Sequence, residues 1–207
     1  MIALIKESFI SIDSYRSETI KYLLNKFTKF QVFPKKLFWN DVSGIVDQDT
    51  IHFLSLNKDY KLILCHNLVN DRASSPEHYK MTLPLEGKAF LDEVINYFSL
   101  RLEAIPHHLR SQVVIDPAFG FSKNNAQNMF LFKNLSHFTS AFTGDQEFLI
   151  GISRKKFLRH FSGISMDELS ALDDYQDDLF DQYLPLLCDA TGYLRCHRCS
   201  LGKNYLA

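Results

Sequence analysis

The feature that most constrains the fold of this chain is a unit that recurs six times along its 207 residues. In each unit a short run of apolar, often β-branched residues ends abruptly in a polar residue or a glycine, and a segment of helical character generally follows. Alternation of this kind predicts a parallel sheet with right-handed crossovers, whose strands are buried on both faces. We therefore expect an α/β protein.

The six runs and the segments between them give an explicit prediction of secondary structure. Strands are predicted at residues 8–13, 36–40, 61–66, 112–116, 147–153 and 193–197. Helices are predicted at residues 14–30, 49–57, 86–103, 125–142, 154–161 and 166–188. Residues 70–84, with two serines and two prolines, are predicted to form a polar, linker-like loop.

A polar residue stands at the C-terminal end of each predicted strand. In a closed barrel these ends form one mouth, whereas in an open doubly wound sheet distant strands do not reach the same crevice. The pattern therefore favours a (β/α)8 TIM-barrel type of fold with about six of the eight strand-helix units, two being absent at the N-terminal side. The strand-end residues are Asp13, Asn40, His66, Asp116, Ser153 and His197.

Composition excludes some classes of partner. The chain has 23 lysines and arginines against 24 acidic residues, so its formal net charge of −1 offers no basis for binding nucleic acid or an anionic membrane. The opening apolar stretch is interrupted by Lys6 and Glu7, and no later run approaches the length of a membrane span. We therefore expect a cytoplasmic protein.

The four cysteines do not form the dense framework of a small secreted domain. Residues 195–199 (RCHRC) bring two thiols and an imidazole together, but no second cluster completes a tetrahedral zinc site. We therefore predict reduced thiols in the core or at an edge, and no metal ligand is assigned. The cysteines are Cys65, Cys188, Cys196 and Cys199.

The most distinctive stretch is residues 116–123 (DPAFGFSK). A carboxylate ends a buried strand, and a proline and a glycine then bend the chain, which leaves two aromatic rings and Lys123 at the mouth. The Asp116 carboxylate could accept the paired donors of a guanidine-like heterocycle. It could equally cap the turn that follows it, as many Asp-Pro pairs do.

Two basic groups lie on or directly after the last two predicted strands. Residues 151–156 (GISRKK) place a hydroxyl and three cations at a strand-to-helix junction, where they could hold an anion or a polarised carbonyl, or form a solvated turn. Arg195 and His197 are two residues apart and point the same way. They could clamp a phosphate, or be a chance pair on an edge strand.

Five motifs together resemble the dihydropteroate synthase family, in the same order and at similar spacing. They are residues 12–15 (IDSY), 39–44 (WNDVSG), 116–123, 151–155 (GISRK) and Arg195-x-His197. The resemblance implies one pterin-binding barrel domain over residues 1–207. It also implies a transferase that joins 6-hydroxymethyl-7,8-dihydropterin pyrophosphate to p-aminobenzoate, giving 7,8-dihydropteroate and pyrophosphate in folate synthesis. Magnesium dependence and a homodimer are further expectations from the family.

The resemblance also implies roles for individual residues. Asp13, Asn40 and Asp116 would bind the pterin, and Lys155 would hydrogen-bond the pterin beside the p-aminobenzoate site. Phe121 and Ser153 would lie near p-aminobenzoate. Arg195 and His197 would clamp the leaving pyrophosphate, so that Lys155, Arg195 and His197 are the expected catalytic residues. His66 matches the strand-end histidine of the family.

The match has departures. Ala118 stands where the family usually has glycine, and Arg198 stands where it has aspartate. The first two strands, with an Asn-Val-Thr-Pro-Asp-Ser type loop for pyrophosphate and magnesium and a Thr-Arg-Pro type loop, have no counterpart. Three hypotheses stay open: a synthase represented by an incomplete chain, a non-catalytic relative or partner subunit, and another pterin enzyme such as a methyltetrahydrofolate methyltransferase. The Ser-Arg-Lys and Arg-x-His motifs favour the synthase over the last.

Overall fold

The computed structural model describes residues 9–142, 146–153, 155–158 and 192–195. Six parallel strands lie in sequence order in one sheet, which confirms the predicted α/β architecture. The fifth strand ends earlier than predicted, at Ile150, and the sixth ends at Leu194; residues 196 and 197 of the predicted sixth strand lie outside the described residues. The strands are β1 (Phe9–Asp13), β2 (Lys36–Asp41), β3 (Tyr60–Cys65), β4 (Val113–Asp116), β5 (Glu147–Ile150) and β6 (Tyr193–Leu194).

Helices connect the strands much as the apolar spacing predicts. The predicted helix at residues 125–142 is divided at Asn134, whose backbone (φ −111°, ψ 24°) leaves the helical region. The predicted helix at residues 166–188 lies outside the described residues. The helices are α1 (Ser17–Phe30), α2 (Gln48–Leu56), α3 (Gly87–Glu103), α4 (Asn125–Lys133) and α5 (Leu135–Ser140), with 3₁₀ helices at Ser75–Lys80 and His107–Gln112.

Strands β2, β3 and β4 are buried on both faces, as parallel strands with crossovers require. The outer face, which includes Leu37, Leu62 and Ile115, packs against apolar residues of the helices, such as Phe90 of α3. The inner face has a smaller apolar cluster of its own, in which Phe38, Ile63, Val114 and Leu149 take part. The sheet therefore separates two apolar layers.

The sheet is strongly curled. The rings of Phe38 on β2 and Tyr193 on β6 have centroids 5.3 Å apart. Strands four positions apart in a flat sheet would be separated by roughly 19 Å, at about 4.8 Å per strand. Lys61 on β3 likewise forms an ion pair with Glu147 on β5 across the concave face. This curvature is that of a barrel wall. Among the described residues, no helix is long and apolar enough to cross a membrane.

Arg72 anchors the segment that the sequence predicts only as a polar loop. Its guanidinium forms an ion pair with the buried Asp41 at the end of β2, and its Nε lies 2.9 Å from Asp47 Oδ2. It also donates to the Ile45 carbonyl (3.2 Å) and lies 4.9 Å from the centroid of the Trp39 ring. Burial raises the pKa of Asp41, and the Arg72 charge opposes that rise. The loop is thus fixed to the sheet through a buried charge pair.

We expect Arg72→Met to lower the free energy of unfolding by about 3–5 kcal/mol, because it leaves the Asp41 carboxylate buried without its cation. Urea denaturation measures the change. The matched control is Lys88→Met on the exposed face of α3, which should have no measurable effect. Adding Asp41→Asn to Arg72→Met should recover part of the loss. A single variant as stable as wild type would contradict the structural role of the pair.

Candidate functional site

A pocket of about 250 Å³ lies at the C-terminal ends of the strands. It is lined by every described residue to which the sequence assigns a substrate or catalytic role; His197 lies outside the described residues. Strands from opposite edges of the sheet, β1 and β6, both reach this pocket because the sheet curls. The predicted residues in the lining are Asp13, Asn40, Asp116, Phe121, Ser153, Lys155 and Arg195.

The strand register explains this convergence. Asp13 pairs with Asn40, and Cys65 pairs with Asp116, so these four residues lie at or next to the ends of neighbouring parallel strands. Side chains alternate between the two faces of a strand, and these four lie on the inner face. The pocket is thus a product of sheet geometry, with loops added above it.

Asp116 is the buried carboxylate of the pocket, with its side chain 6% exposed. Its Oδ1 accepts a 2.7 Å hydrogen bond from the backbone N–H of Ala118, and its Oδ2 lies 3.6 Å from Nη1 of Arg195. Burial raises the pKa of Asp116, while Arg195, the Ala118 N–H, Lys155 and Lys123 act to lower it. The cations and the N–H donor around Asp116 stabilise its ionised form, which accepts hydrogen bonds from a polar ligand.

Phe121 and Lys155 form the upper wall. The Lys155 Nζ lies 5.5 Å from the centroid of the Phe121 ring. Burial lowers the pKa of Lys155, and the Asp116 charge opposes that effect. Phe121 also stacks on His78 of the first 3₁₀ helix, at 3.8 Å and 18° between ring planes. The loop at residues 70–84 therefore supports the pocket from behind.

Two predicted positions differ from expectation. His66 does not line the pocket: it is fully buried, with its ring centroid 4.5 Å from that of Tyr97. Cys65 takes the inner position instead, because alternation along β3 turns His66 away. Lys123, expected at the mouth, is buried behind the loop and lies 2.9 Å from His66 Nδ1.

Sequence reasoning assigned no substrate or catalytic role to some lining residues, although it expected the Phe119 ring at the mouth. They are Val42, Cys65, Ala118, Phe119 and Gly151. Burial raises the pKa of Cys65 well above its usual value, so a neutral thiol faces the pocket, with its Sγ 3.7 Å from Asn40 Oδ1. Cys65 lies opposite Asp116 on the neighbouring strand, and this pairing is the signal that could have identified Cys65 as a lining residue.

The described part of the chain offers no obvious metal centre. No group of three or more histidine, cysteine or acidic side chains that could hold a metal ion occurs in it. Cys65 is a free, buried thiol, and the cysteines of residues 195–199 lie outside the described ranges.

A polar pocket at the C-terminal mouth of a curled parallel sheet defines a small-molecule site of the barrel type. The family model of the pterin binding enzymes matches residues 1–174. The chain belongs to this family.

Similarity to individual proteins agrees with that assignment. The chain is 28% identical over 155 residues to the bifunctional dihydropteroate synthase/dihydropteroate reductase of Helicobacter pylori, a match that covers 74% of this chain and 35% of that protein. The dihydropteroate synthase of Thermus thermophilus, solved with 4-aminobenzoate, gives a TM-score of 0.66 at 20% identity, over 94% of this chain and 66% of that one. The synthase of Anaplasma phagocytophilum, solved with 6-hydroxymethylpterin-monophosphate, gives 0.66 at 19%, over 92% and 66%. The likeness confirms the barrel-type fold, and the chain spans just under two thirds of these structures.

Ala118, where the family usually has glycine, has a left-handed backbone with φ 52°. We expect Ala118→Gly to raise the free energy of unfolding by about 1 kcal/mol, because a Cβ is unfavourable in that conformation. Chemical denaturation measures the gain.

The matched control is Ala104→Gly at the end of α3, where φ is −69°. The same chemical change there should cost about 0.5–1 kcal/mol. Two losses of equal size would show that the left-handed geometry at Ala118 carries no strain.

Proposed function

We propose that this chain carries out the dihydropteroate synthase reaction, or forms the pterin-binding part of the enzyme that does. It would condense 6-hydroxymethyl-7,8-dihydropterin pyrophosphate with p-aminobenzoate to give 7,8-dihydropteroate and pyrophosphate. The observation that carries the proposal is the pocket that brings Asp13, Asn40 and Asp116 together with Lys155 and Arg195. The whole activity is a proposal for this chain, because the match covers only 35% of the Helicobacter pylori protein.

The pterin would lie on the buried floor of the pocket. Its amino-pyrimidine edge presents adjacent N–H donors, and the Asp116 carboxylate can accept two of them. The Asn40 side chain is 1% exposed and borders the same floor. Lys155 stands above, where it can donate to the pterin and border the site of the aromatic amine.

The reaction needs leaving-group stabilisation more than a strong base. Cleavage of the carbon–oxygen bond at the pterin methylene leaves positive character on that carbon, and the bonding electrons depart with the pyrophosphate. Arg195 lines the pocket and can stabilise the departing anion through charge-assisted hydrogen bonds. The amine nitrogen of p-aminobenzoate then forms the new bond to the methylene and loses a proton.

Magnesium, a homodimer and a cytoplasmic location stay predictions that rest on the resemblance and composition. Magnesium is commonly held by substrate phosphates with one or two carboxylates. No group of three candidate ligands occurs among the described residues, so no protein ligand is assigned to magnesium.

A non-catalytic pterin-binding subunit is the second candidate. The observation that favours it is the β1 edge, where Phe9 is 62% exposed and where β2 is the partner strand among the described residues. An unpaired edge invites another strand. Turnover of both substrates by the purified chain alone supports the synthase. Turnover only after a partner chain is added supports the non-catalytic subunit.

We expect Asp116→Asn to weaken pterin binding about 10- to 100-fold, because the variant lacks the charged hydrogen-bond acceptor. Isothermal titration calorimetry with 6-hydroxymethylpterin measures it. The shape of the side chain and the bond from Ala118 are preserved, so the fold should hold. Asp92→Asn on the surface of α3 is the control and should bind as wild type does. Unchanged affinity in Asp116→Asn would remove Asp116 from the pterin site.

Arg195→Met should weaken inhibition or binding by pyrophosphate about 10-fold or more, while pterin affinity changes less, because the lost charge faces the leaving group. Competition calorimetry with pyrophosphate checks this. Arg110→Met, at the opposite end of the sheet, is the matched control. The clamp assignment fails if pyrophosphate binds Arg195→Met as tightly as wild type.

A further inference from the structure

Lys123 is a buried cation to which the proposed reaction gives no role. Its Nζ lies 2.9 Å from His66 Nδ1, 3.0 Å from the Phe121 carbonyl and 3.4 Å from the Ala118 carbonyl. An ammonium has three N–H donors, and here three acceptors surround it. The side chain is therefore placed to satisfy every donor without water.

Two of the three acceptors belong to the pocket wall and the third lies behind it. Ala118 and Phe121 lie in the loop after β4 and line the pocket, whereas His66 directly follows β3. The Ala118 N–H in turn donates to Asp116. The Lys123 ammonium thus links two residues of the pocket wall to His66 beside the neighbouring strand. The two are Phe121 and Ala118, whose N–H donates to Asp116.

His66 is suited to the role of acceptor. Its ring is fully buried, and its Nε2 has no hydrogen-bond partner among the described residues. Burial lowers the pKa of His66 well below its usual value, and the charges of Lys123 and Arg101 add to that effect. The ring is therefore neutral, and donation from the Lys123 ammonium to Nδ1 requires the Nε2–H tautomer of His66.

We propose that Lys123, in its ammonium form, is a positioning residue that fixes the Ala118–Phe121 wall against His66 and so holds the pterin pocket in its binding geometry. The functional part of this proposal rests on the proposed function. Lys123 acts through the residues it holds, behind the wall that they form.

The proton on Lys123 should be labile near neutrality. Burial lowers the pKa of Lys123 to about 7, with Asp116 and Cys65 acting to raise it and Lys155 to lower it further. The neutral amine has two N–H donors, so one of the three acceptors loses its bond when the proton leaves. At pH values below about 7 the Lys123 ammonium should therefore fix the Ala118–Phe121 wall, and at higher pH the wall should be held less firmly. The charged and titratable groups that face the pair are Asp116, Cys65, Lys155 and His78 around Lys123, and Arg101 and Tyr97 beside His66.

The effect on stability has a definite sign. The folded pKa of Lys123 is about 7, below the ordinary 10.5, so between these values the unfolded chain binds more protons. Stability contributed at this site therefore rises with pH across that window. In Lys123→Met the contribution is absent, so the stability of wild type relative to this variant should increase from about pH 7 to about pH 10. This measurement requires no ligand.

The decisive experiment compares pterin affinity in wild type and Lys123→Met at about pH 6 and about pH 8.5, by calorimetry with 6-hydroxymethylpterin. We expect the variant to bind at least about 10-fold more weakly at the lower pH, and the ratio to shrink at least about threefold at the higher pH, as wild type loses its third bond. The control is Lys88→Met, an exposed lysine that should match wild type at both values.

A direct titration covers the case in which Lys123→Met fails to fold. Carbon-13 signals of the lysine ε-carbons in wild type should include one that titrates near pH 7, and nitrogen-15 shifts should show the Nε2–H tautomer of His66. An Nδ1–H tautomer of His66, or equal pterin affinities in wild type and Lys123→Met, overturns the positioning role, and a Lys123 signal that titrates near pH 10.5 overturns its predicted weakening above pH 7. Wild-type protein that binds no pterin at either pH contradicts the proposed function instead.

Discussion

The pocket depends on one geometric constraint, the parallel, in-sequence pairing of strands that alternate their side chains. Because β1 to β4 are parallel neighbours in sequence order, their last inward residues gather at the same edge of the sheet, and because the sheet curls, β6 returns to face β1 across the opening. No loop has to bring Asp13, Asn40 and Asp116 together. A slip of one residue in any strand would turn its polar end toward the outer apolar layer.

Burial then sets the electrostatics of the mouth. Asp116 and Lys155 are each placed where desolvation disfavours the charge, and each is supported by the other's opposite charge. Such mutual support holds dipoles and charges in place before a ligand arrives, which is the arrangement that favours charged transition states. Arg72 and Asp41 apply the same principle outside the pocket, where the pair fixes a loop to the sheet.

The sequence predicts the sheet, its strand order and the polar residues of the mouth, because apolar runs and strand-end polar residues are local signals. The sequence does not show which face of a strand points into the pocket. Strand β3 is buried on both faces, so no local signal shows that Cys65 faces inward and His66 outward. Residues 70–84 look like a linker because the partner of Arg72, Asp41, is 31 positions away. Lys123 looks like a surface cation for the same reason, since His66 is 57 positions away.

The distribution of charge around the mouth orients a bound substrate under the proposed function. Asp13, Asn40 and Asp116 come from β1, β2 and β4, whereas Lys155 and Arg195 follow β5 and β6. A ligand with N–H donors at one end and a polyanion at the other is favoured with its donors toward the carboxylates and its anion toward the cations, although Arg195 also lies 3.6 Å from Asp116 Oδ2. The reverse orientation would place pyrophosphate against Asp13 and Asp116, where like charges repel. The sheet order thus directs the reacting methylene to the β5–β6 side, where Lys155, Ser153 and the Phe121 wall adjoin the space that the aromatic amine must enter.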